Sequence, residues 1–129
     1  MSNMHAPLII EASLNGSASK ELNPAVPYSD EEIVADAIAC MEAGASLIHN
    51  HTEEPIIGGT GELDTERYAR PWRELLRRRP DAILTPTMPV GQDGVSVETR
   101  YKHVVEMARE GLLAQGLCDP GTFNATLLD

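Results

Sequence analysis

Two histidines stand one residue apart at the end of a short apolar run, in the segment SLIHNHTEEP (46–55). Along an extended strand, residues i and i+2 point to the same side, so His49 and His51 project together and Asn50 projects oppositely. Two imidazoles held in this way can bind one divalent ion at about 2.0–2.1 Å. The pair is therefore either part of a metal site or a strand end whose histidines serve only hydrogen bonding.

Three carboxylates are candidates for the same site, and each also has a purely structural interpretation. Glu11 interrupts the apolar run PLIIEASLNG (7–16), where a carboxylate is costly unless a cation, a metal or hydrogen bonds compensate it. We expect Glu11 either to face a polar pocket or to form an ion pair, for instance with Lys20 or Arg100. Glu53 and Glu54 follow the histidines, and each is either an outer-shell acceptor for an imidazole or a solvated loop charge.

An alternation of strands and helices must position these residues. Apolar runs predict strands, and capping residues with 3.6-residue periodicity predict helices. The first helix begins with a capping box made by Ser29 and Glu32. Predicted strands cover 7–16, 46–51 and 81–88, with a weaker fourth in 114–124, and predicted helices follow Ser29, cover 64–79 and follow Ser96.

This order predicts an α/β fold made of about four β-α units with a parallel sheet. Polar residues stand at the carboxyl ends of all four predicted strands, as in the first half of a (β/α)8 TIM barrel. They are Glu11, His49 with His51, Thr85 with Thr87, and Asp119. No GxGxxG fingerprint follows the first strand, so a dinucleotide-binding fold is not predicted.

The third helix carries a histidine that the pattern does not mark as functional. Its periodicity predicts that the apolar stripe faces inward and that His103 lies on the helix surface. The predicted inward residues are Tyr101, Val104, Val105, Ala108 and Leu112.

Composition narrows the class of protein. The chain has 129 residues and a net charge of −10, from 20 acidic and 10 basic residues, which argues against a nucleic-acid surface built on clustered cations. No apolar run approaches the roughly 20 residues of a membrane span, and the N-terminus lacks the pattern of a signal peptide. With two cysteines and neither a C-x-x-C motif nor a disulfide-rich pattern, we expect a cytoplasmic protein.

Four segments, in order along the chain, resemble the β-keto acid cleavage enzyme family. They are PLIIEASLNGS (7–17), NPAVPYSDEEIVADAI (23–38), EAGASLIHNHTEEP (42–55) and GLCDPGTFN (116–124). The first-described type of this family is the 3-keto-5-aminohexanoate cleavage enzyme of lysine fermentation. The resemblance implies a zinc-binding (β/α)8 barrel that usually forms homo-oligomers. It also implies a reaction of a β-keto acid with acetyl-CoA that gives acetoacetate and an acyl-CoA.

The resemblance assigns roles to residues of this chain. His49 and His51 correspond to two zinc ligands, and Glu11 corresponds to a substrate-binding carboxylate able to hold an amino group. Thr85 and Thr87 fall on the substrate-binding strand end, and Gln115 falls near another substrate position. At these last three positions the sequence departs from the usual family pattern.

Family members run to about twice this length, as an eight-stranded barrel requires. We therefore expect residues 1–129 to be the N-terminal portion of one truncated TIM-barrel domain. The third zinc ligand and the catalytic aspartate and arginine would lie in the absent half, so no catalytic residue is assigned. One alternative is a non-catalytic half-barrel that acts by assembly with a complementing half or with itself. Another is a small stand-alone metallohydrolase that uses a zinc-bound water.

Overall fold

A computed structural model of the chain describes residues 7–90 and 94–117. Strands and helices alternate along it, which confirms the predicted order for three β-α units. No helix in this described part is long and apolar enough to cross a membrane. The elements are β1 (Glu11–Ser13), α1 (Asp30–Glu42), β2 (Leu47–Asn50), α2 (Thr65–Arg78), β3 (Ile83–Pro86) and α3 (Val97–Arg109).

The three strands form one parallel sheet in the order β1-β2-β3. The register pairs Ser13 with His49 and His49 with Thr85, so these three residues form one row across the sheet. The neighbouring row pairs Ala12, Ile48 and Leu84. Because side chains alternate along a strand, these two rows point to opposite faces of the sheet.

Each helix begins at a residue whose side chain satisfies a free backbone N–H. The predicted capping box of α1 is present: the Ser29 hydroxyl accepts from the Glu32 N–H, and the Glu32 carboxylate accepts from the Ser29 N–H. At α2 the Asp64 side chain accepts from the Glu66 N–H, and at α3 the Ser96 hydroxyl accepts from the Thr99 N–H. Such caps typically contribute about 1 kcal/mol each, and here they start the helices just after the loops that leave the strands.

The helices cover one face of the sheet and form the core there. Ile48 and Leu84 pack against apolar side chains of α1 and α2, and α2 supplies the largest of them, Trp72. The Trp72 indole Nε1–H donates to Asn50 Oδ1 across 2.8 Å, with both side chains fully buried. The buried core consists of Val34, Ala37, Ile48, Leu63, Tyr68, Trp72, Leu75, Ala82, Leu84 and Met107.

The first predicted strand is shorter and more exposed than expected. The pattern predicts a buried strand over 7–16, but β1 covers only Glu11–Ser13. Leu8, Ile9 and Ile10 are 82%, 71% and 47% exposed. The prediction of a buried strand over 7–16 is therefore wrong, because no described element lies over this end of the sheet edge.

The inward face of α3 also differs from the prediction. His103 and Met107 are fully buried, whereas Val105 is 43% exposed. The His103 ring stacks on Tyr68 with 5.7 Å between ring centroids, and its Nε2 lies 2.9 Å from the Thr87 carbonyl oxygen. The surface placement of His103 is therefore wrong, because this ring has a stacking partner and a hydrogen-bond partner that the helix pattern alone does not reveal.

The fourth predicted strand is only partly described. Residues 114–117, its first part, have no strand conformation. The remainder, including Asp119, lies outside the described residues. The predicted parallel sheet with helices is therefore confirmed, whereas the half-barrel and its closure stay predictions.

We predict that Trp72→Phe lowers the free energy of unfolding, because it leaves the buried Asn50 oxygen without its donor. The hydrogen bond should account for about 1–3 kcal/mol of the loss. Urea denaturation followed by far-UV circular dichroism measures it, since this is the one tryptophan of the chain.

A double-mutant cycle with Asn50→Ala separates the hydrogen bond from the smaller ring volume. The two substitutions should be non-additive, since each removes the same bond. Additivity within about 0.5 kcal/mol would contradict a stabilising role for this pair.

Candidate metal and substrate site

Four side chains predicted from the sequence meet at the face of the sheet opposite the helices. Glu11 and Thr85 come from the outer strands, and His49 and His51 come from β2 and the residue after it. Thr85 Oγ1 donates to Glu11 Oε1 across 2.8 Å, although the two residues are 74 positions apart. The parallel register thus brings Glu11, Thr85 and His49 to one face of the sheet, but Glu11 is the first residue of β1 and pairs with Leu47, so its predicted place at the carboxyl end of the strand is wrong.

The imidazole rings of His49 and His51 lie close together. Their ring centroids are 5.1 Å apart and their planes lie at 85°, an edge-on arrangement. His51 lies one residue beyond the end of β2, yet it keeps the side that strand alternation predicts. Asn50 points the other way into the core, where it meets Trp72. The strand interpretation of the H-x-H motif is therefore correct.

Burial keeps both histidines neutral near pH 7. It lowers the pKa of His49, although the nearby Glu11 carboxylate acts in the opposite direction. Burial, together with the neighbouring His49, lowers the pKa of His51 to about 4. A neutral imidazole has a free lone pair, which is the form that binds metal ions.

The spacing of the rings suits a shared divalent ion. Two imidazoles bound to one tetrahedral ion at about 2.0–2.1 Å place their ring centres roughly 5 Å apart. His49 and His51 have that separation, and nitrogen donors suit zinc. No group of three metal-binding side chains forms within residues 7–90 and 94–117. Two neutral imidazoles at this separation could supply two nitrogen ligands to a zinc ion.

The carboxylates that follow the histidines organise the loop rather than the imidazoles. Glu54 accepts from the Thr52 hydroxyl across 3.1 Å and from the Asp64 N–H at the start of α2. Glu53 is exposed and pairs with Arg67 at 3.6 Å. Of the two interpretations, the described contacts favour loop charges.

The other predicted residues lie apart from this cluster. Thr87 is buried in the loop after β3, where its carbonyl oxygen contacts His103. Gln115 is exposed in the segment after α3, with no described contact to the histidines. Lys20, one predicted partner of Glu11, instead pairs with Glu32 at 2.6 Å.

One residue of the site escaped prediction. Asn15 follows β1 in the sequence Leu-Asn-Gly, a pattern that predicts only a turn. Its buried side chain bonds the backbone of His51, 36 residues further along the chain. A side-chain bond to backbone at such a separation leaves no periodic trace in the sequence.

The sequence model of the β-keto acid cleavage enzyme family matches residues 7–127. The chain belongs to this family. The match includes every described element and the whole cluster of Glu11, His49, His51 and Thr85.

Curated relatives within the family include two named 3-keto-5-aminohexanoate cleavage enzyme. The protein of Fusobacterium nucleatum is 42% identical over 81 residues, 62% of this chain and 29% of the relative. That of Acetoanaerobium sticklandii is 37% identical over 115 residues, 88% of this chain and 41% of the relative. The 3-oxoadipate:acetyl-CoA acetyltransferase of Cupriavidus necator is 33% identical over 96 residues, 74% of this chain and 33% of the relative. The chain thus spans less than half the length of these relatives.

We predict that the His51 ring titrates near pH 4, measured by side-chain NMR on the metal-free protein. The unfolded chain takes up this proton near the ordinary pKa of 6.5, whereas the folded chain resists it until about 4. This histidine therefore lowers the free energy of unfolding as the pH falls from about 6.5 to about 4.

The variant His49→Ala serves as the internal comparison. Removing the neighbouring ring should raise the pKa of His51, since His49 is one of the two causes of the shift. Titration of His51 near 6.5 in the wild-type protein would show that burial does not act on it as described.

Proposed function

We propose that this chain is the zinc- and substrate-binding part of a β-keto acid cleavage enzyme. The reaction joins a β-keto acid and acetyl-CoA and yields acetoacetate and an acyl-CoA. The observation that carries the proposal is the convergence of His49, His51, Glu11 and Thr85 on one face of the parallel sheet. Membership of the family gives this cluster its chemistry.

His49 and His51 are the residues that would hold the zinc ion. When bound, the ion supplies a Lewis acid for the keto oxygen of the substrate. The imidazoles prepare for this by staying neutral, since burial disfavours their protonation. Their strand position fixes the spacing of the rings before any ligand arrives, so little ordering remains to be done on binding.

Glu11 is the proposed substrate-binding carboxylate. The Thr85 hydroxyl orients it by donating to Oε1, and Thr85 Oγ1 lies 3.2 Å from the Ile48 carbonyl as well. A carboxylate fixed in this way on an exposed strand presents an acceptor to an amino or hydroxyl group of the β-keto acid. Proton transfer is assigned to no described residue; we place it in the part of the enzyme that this chain does not span.

We predict that His49→Ala and His51→Ala each weaken zinc binding. The loss should exceed the roughly 10–100-fold that follows from removing a mere outer-shell partner. Competition titration against a zinc chelator measures the affinity, and circular dichroism checks the fold. Glu53→Gln is the control, since this exposed carboxylate lies two residues beyond His51 and contacts Arg67.

Activity is tested on the longest protein that carries this sequence. Mass spectrometry should detect the acyl-CoA and acetoacetate with the wild type and with Glu53→Gln, and neither product with the histidine variants. Unchanged zinc affinity and unchanged turnover in both histidine variants would overturn the site assignment.

A second candidate function is assembly without catalysis by the chain itself. The side of the sheet opposite the helices lacks a covering helix among the described residues, and the apolar side chains of Leu8, Ile9 and Ile10 are exposed just before β1. Exposed sheet edges pair readily with other chains. In this proposal the chain acts by pairing with a complementing half-barrel or with a second copy.

We predict that Leu8→Lys weakens such self-association by about 10–100-fold, the range expected for losing one buried leucine from an interface. Sedimentation velocity over a range of protein concentrations measures the association constant. Leu22→Lys is the matched control, because Leu22 is 87% exposed in the loop between β1 and α1. Equal effects of the two substitutions would show that association is unspecific.

A further inference from the structure

His51 lies where the backbone ladder between β1 and β2 has already ended. The final backbone hydrogen bond between the two segments runs from the Leu14 N–H to the His49 carbonyl, at 2.9 Å. Two residues later the chain turns away from the sheet at Gly16, which has a φ of +54°. Something other than strand pairing must therefore hold the backbone of His51.

The side chain of Asn15 takes the place of the next peptide group. The His51 N–H donates to Asn15 Oδ1 at 2.7 Å, and Asn15 Nδ2 donates to the His51 carbonyl at 2.9 Å. A carboxamide presents one acceptor and one donor side by side, as a peptide group does. It thereby extends the β1–β2 ladder by one step.

Further contacts anchor this step on both sides. Asn15 is 6% exposed, and its Nδ2 also donates to the Pro27 carbonyl at 3.0 Å. From the other side, Asn50 Nδ2 donates to the His51 carbonyl at 3.2 Å, and Asn50 Oδ1 is held by Trp72. Two carboxamides thus fix the backbone of His51, and one of them is attached to the core.

We infer that Asn15 is the positioning residue of the histidine pair: it sets where the His51 imidazole stands relative to His49. Its consequence for metal affinity rests on the proposed function. The geometry requires an amide, because Nδ2 faces two carbonyl oxygens. An aspartate of the same shape would keep the bond to the His51 N–H but set a carboxylate oxygen against both carbonyls.

The test compares Asn15→Asp with Asn23→Asp. Asn23 is exposed in the same loop, and its side chain accepts from the Ala25 N–H at 3.1 Å, a role that an aspartate carboxylate can also fill. The nuclear Overhauser effect between the His49 and His51 rings, measured without metal, reports their spacing. Titration with Co²⁺, followed by its visible absorption, reports affinity.

For Asn15→Asp we expect a weakened ring-to-ring effect and an affinity for Co²⁺ lowered about 10–100-fold, as for the loss of an outer-shell partner. Asn23→Asp should match the wild type in both measurements. A folded Asn15→Asp with the wild-type ring-to-ring effect overturns the inference, whatever its affinity. If the wild type binds no Co²⁺ but Asn15→Asp still loses the ring-to-ring effect, the positioning role stands and the proposed zinc site fails.

A measurement on the wild type alone covers the case in which Asn15→Asp does not fold. The His51 amide hydrogen should exchange with solvent at least about tenfold more slowly than that of Glu53, which lies outside the ladder. Equal exchange rates overturn the inference, because the bond to Asn15 Oδ1 would then not protect this amide.

Discussion

The parallel pairing of β1, β2 and β3 is the constraint on which the site depends. It sets Ser13, His49 and Thr85 in one row, and strand alternation then gives that row to the face opposite the helices. No single strand could gather Glu11, Thr85 and His49, because they are dozens of residues apart in the chain. The helices contribute indirectly, since their packing on the other face keeps the three strands in register.

Side chains of four consecutive residues, 48–51, alternate between the core and the candidate site. Ile48 and Asn50 point into the core, where packing is dense and hydrogen bonds are satisfied, whereas His49 and His51 point to the open side. The buried bond between Trp72 and Asn50 therefore has a second effect beyond stability. It fixes the residue between the two imidazoles, so the precision of the site derives from the core behind it.

Periodic features of the sequence predict most of this arrangement. Strand alternation predicted that the side chains of His49 and His51 lie on the same side of the sheet. The capping residues Ser29 and Glu32 predicted where α1 starts. The prediction of the inward face of α3 was wrong because His103 is buried and stacks on Tyr68. This contact joins two helices, and no local sequence pattern encodes it. The role of Asn15 could not be predicted for a similar reason, since an Asn-Gly pair predicts a turn and says nothing about a distant backbone.

The three hydrogen bonds of Asn15 also couple the position of His51 to the docking of β1 on the sheet. They tie the end of β1 to residues 12 and 36 positions away, so His51 is in place only when the three-residue strand β1 is docked. Docking of β1 and occupancy of the histidine pair are then linked equilibria. Any ligand that bridges the two imidazoles must also tighten β1 onto the sheet, and by reciprocity a loosened β1 must weaken that ligand by the same factor.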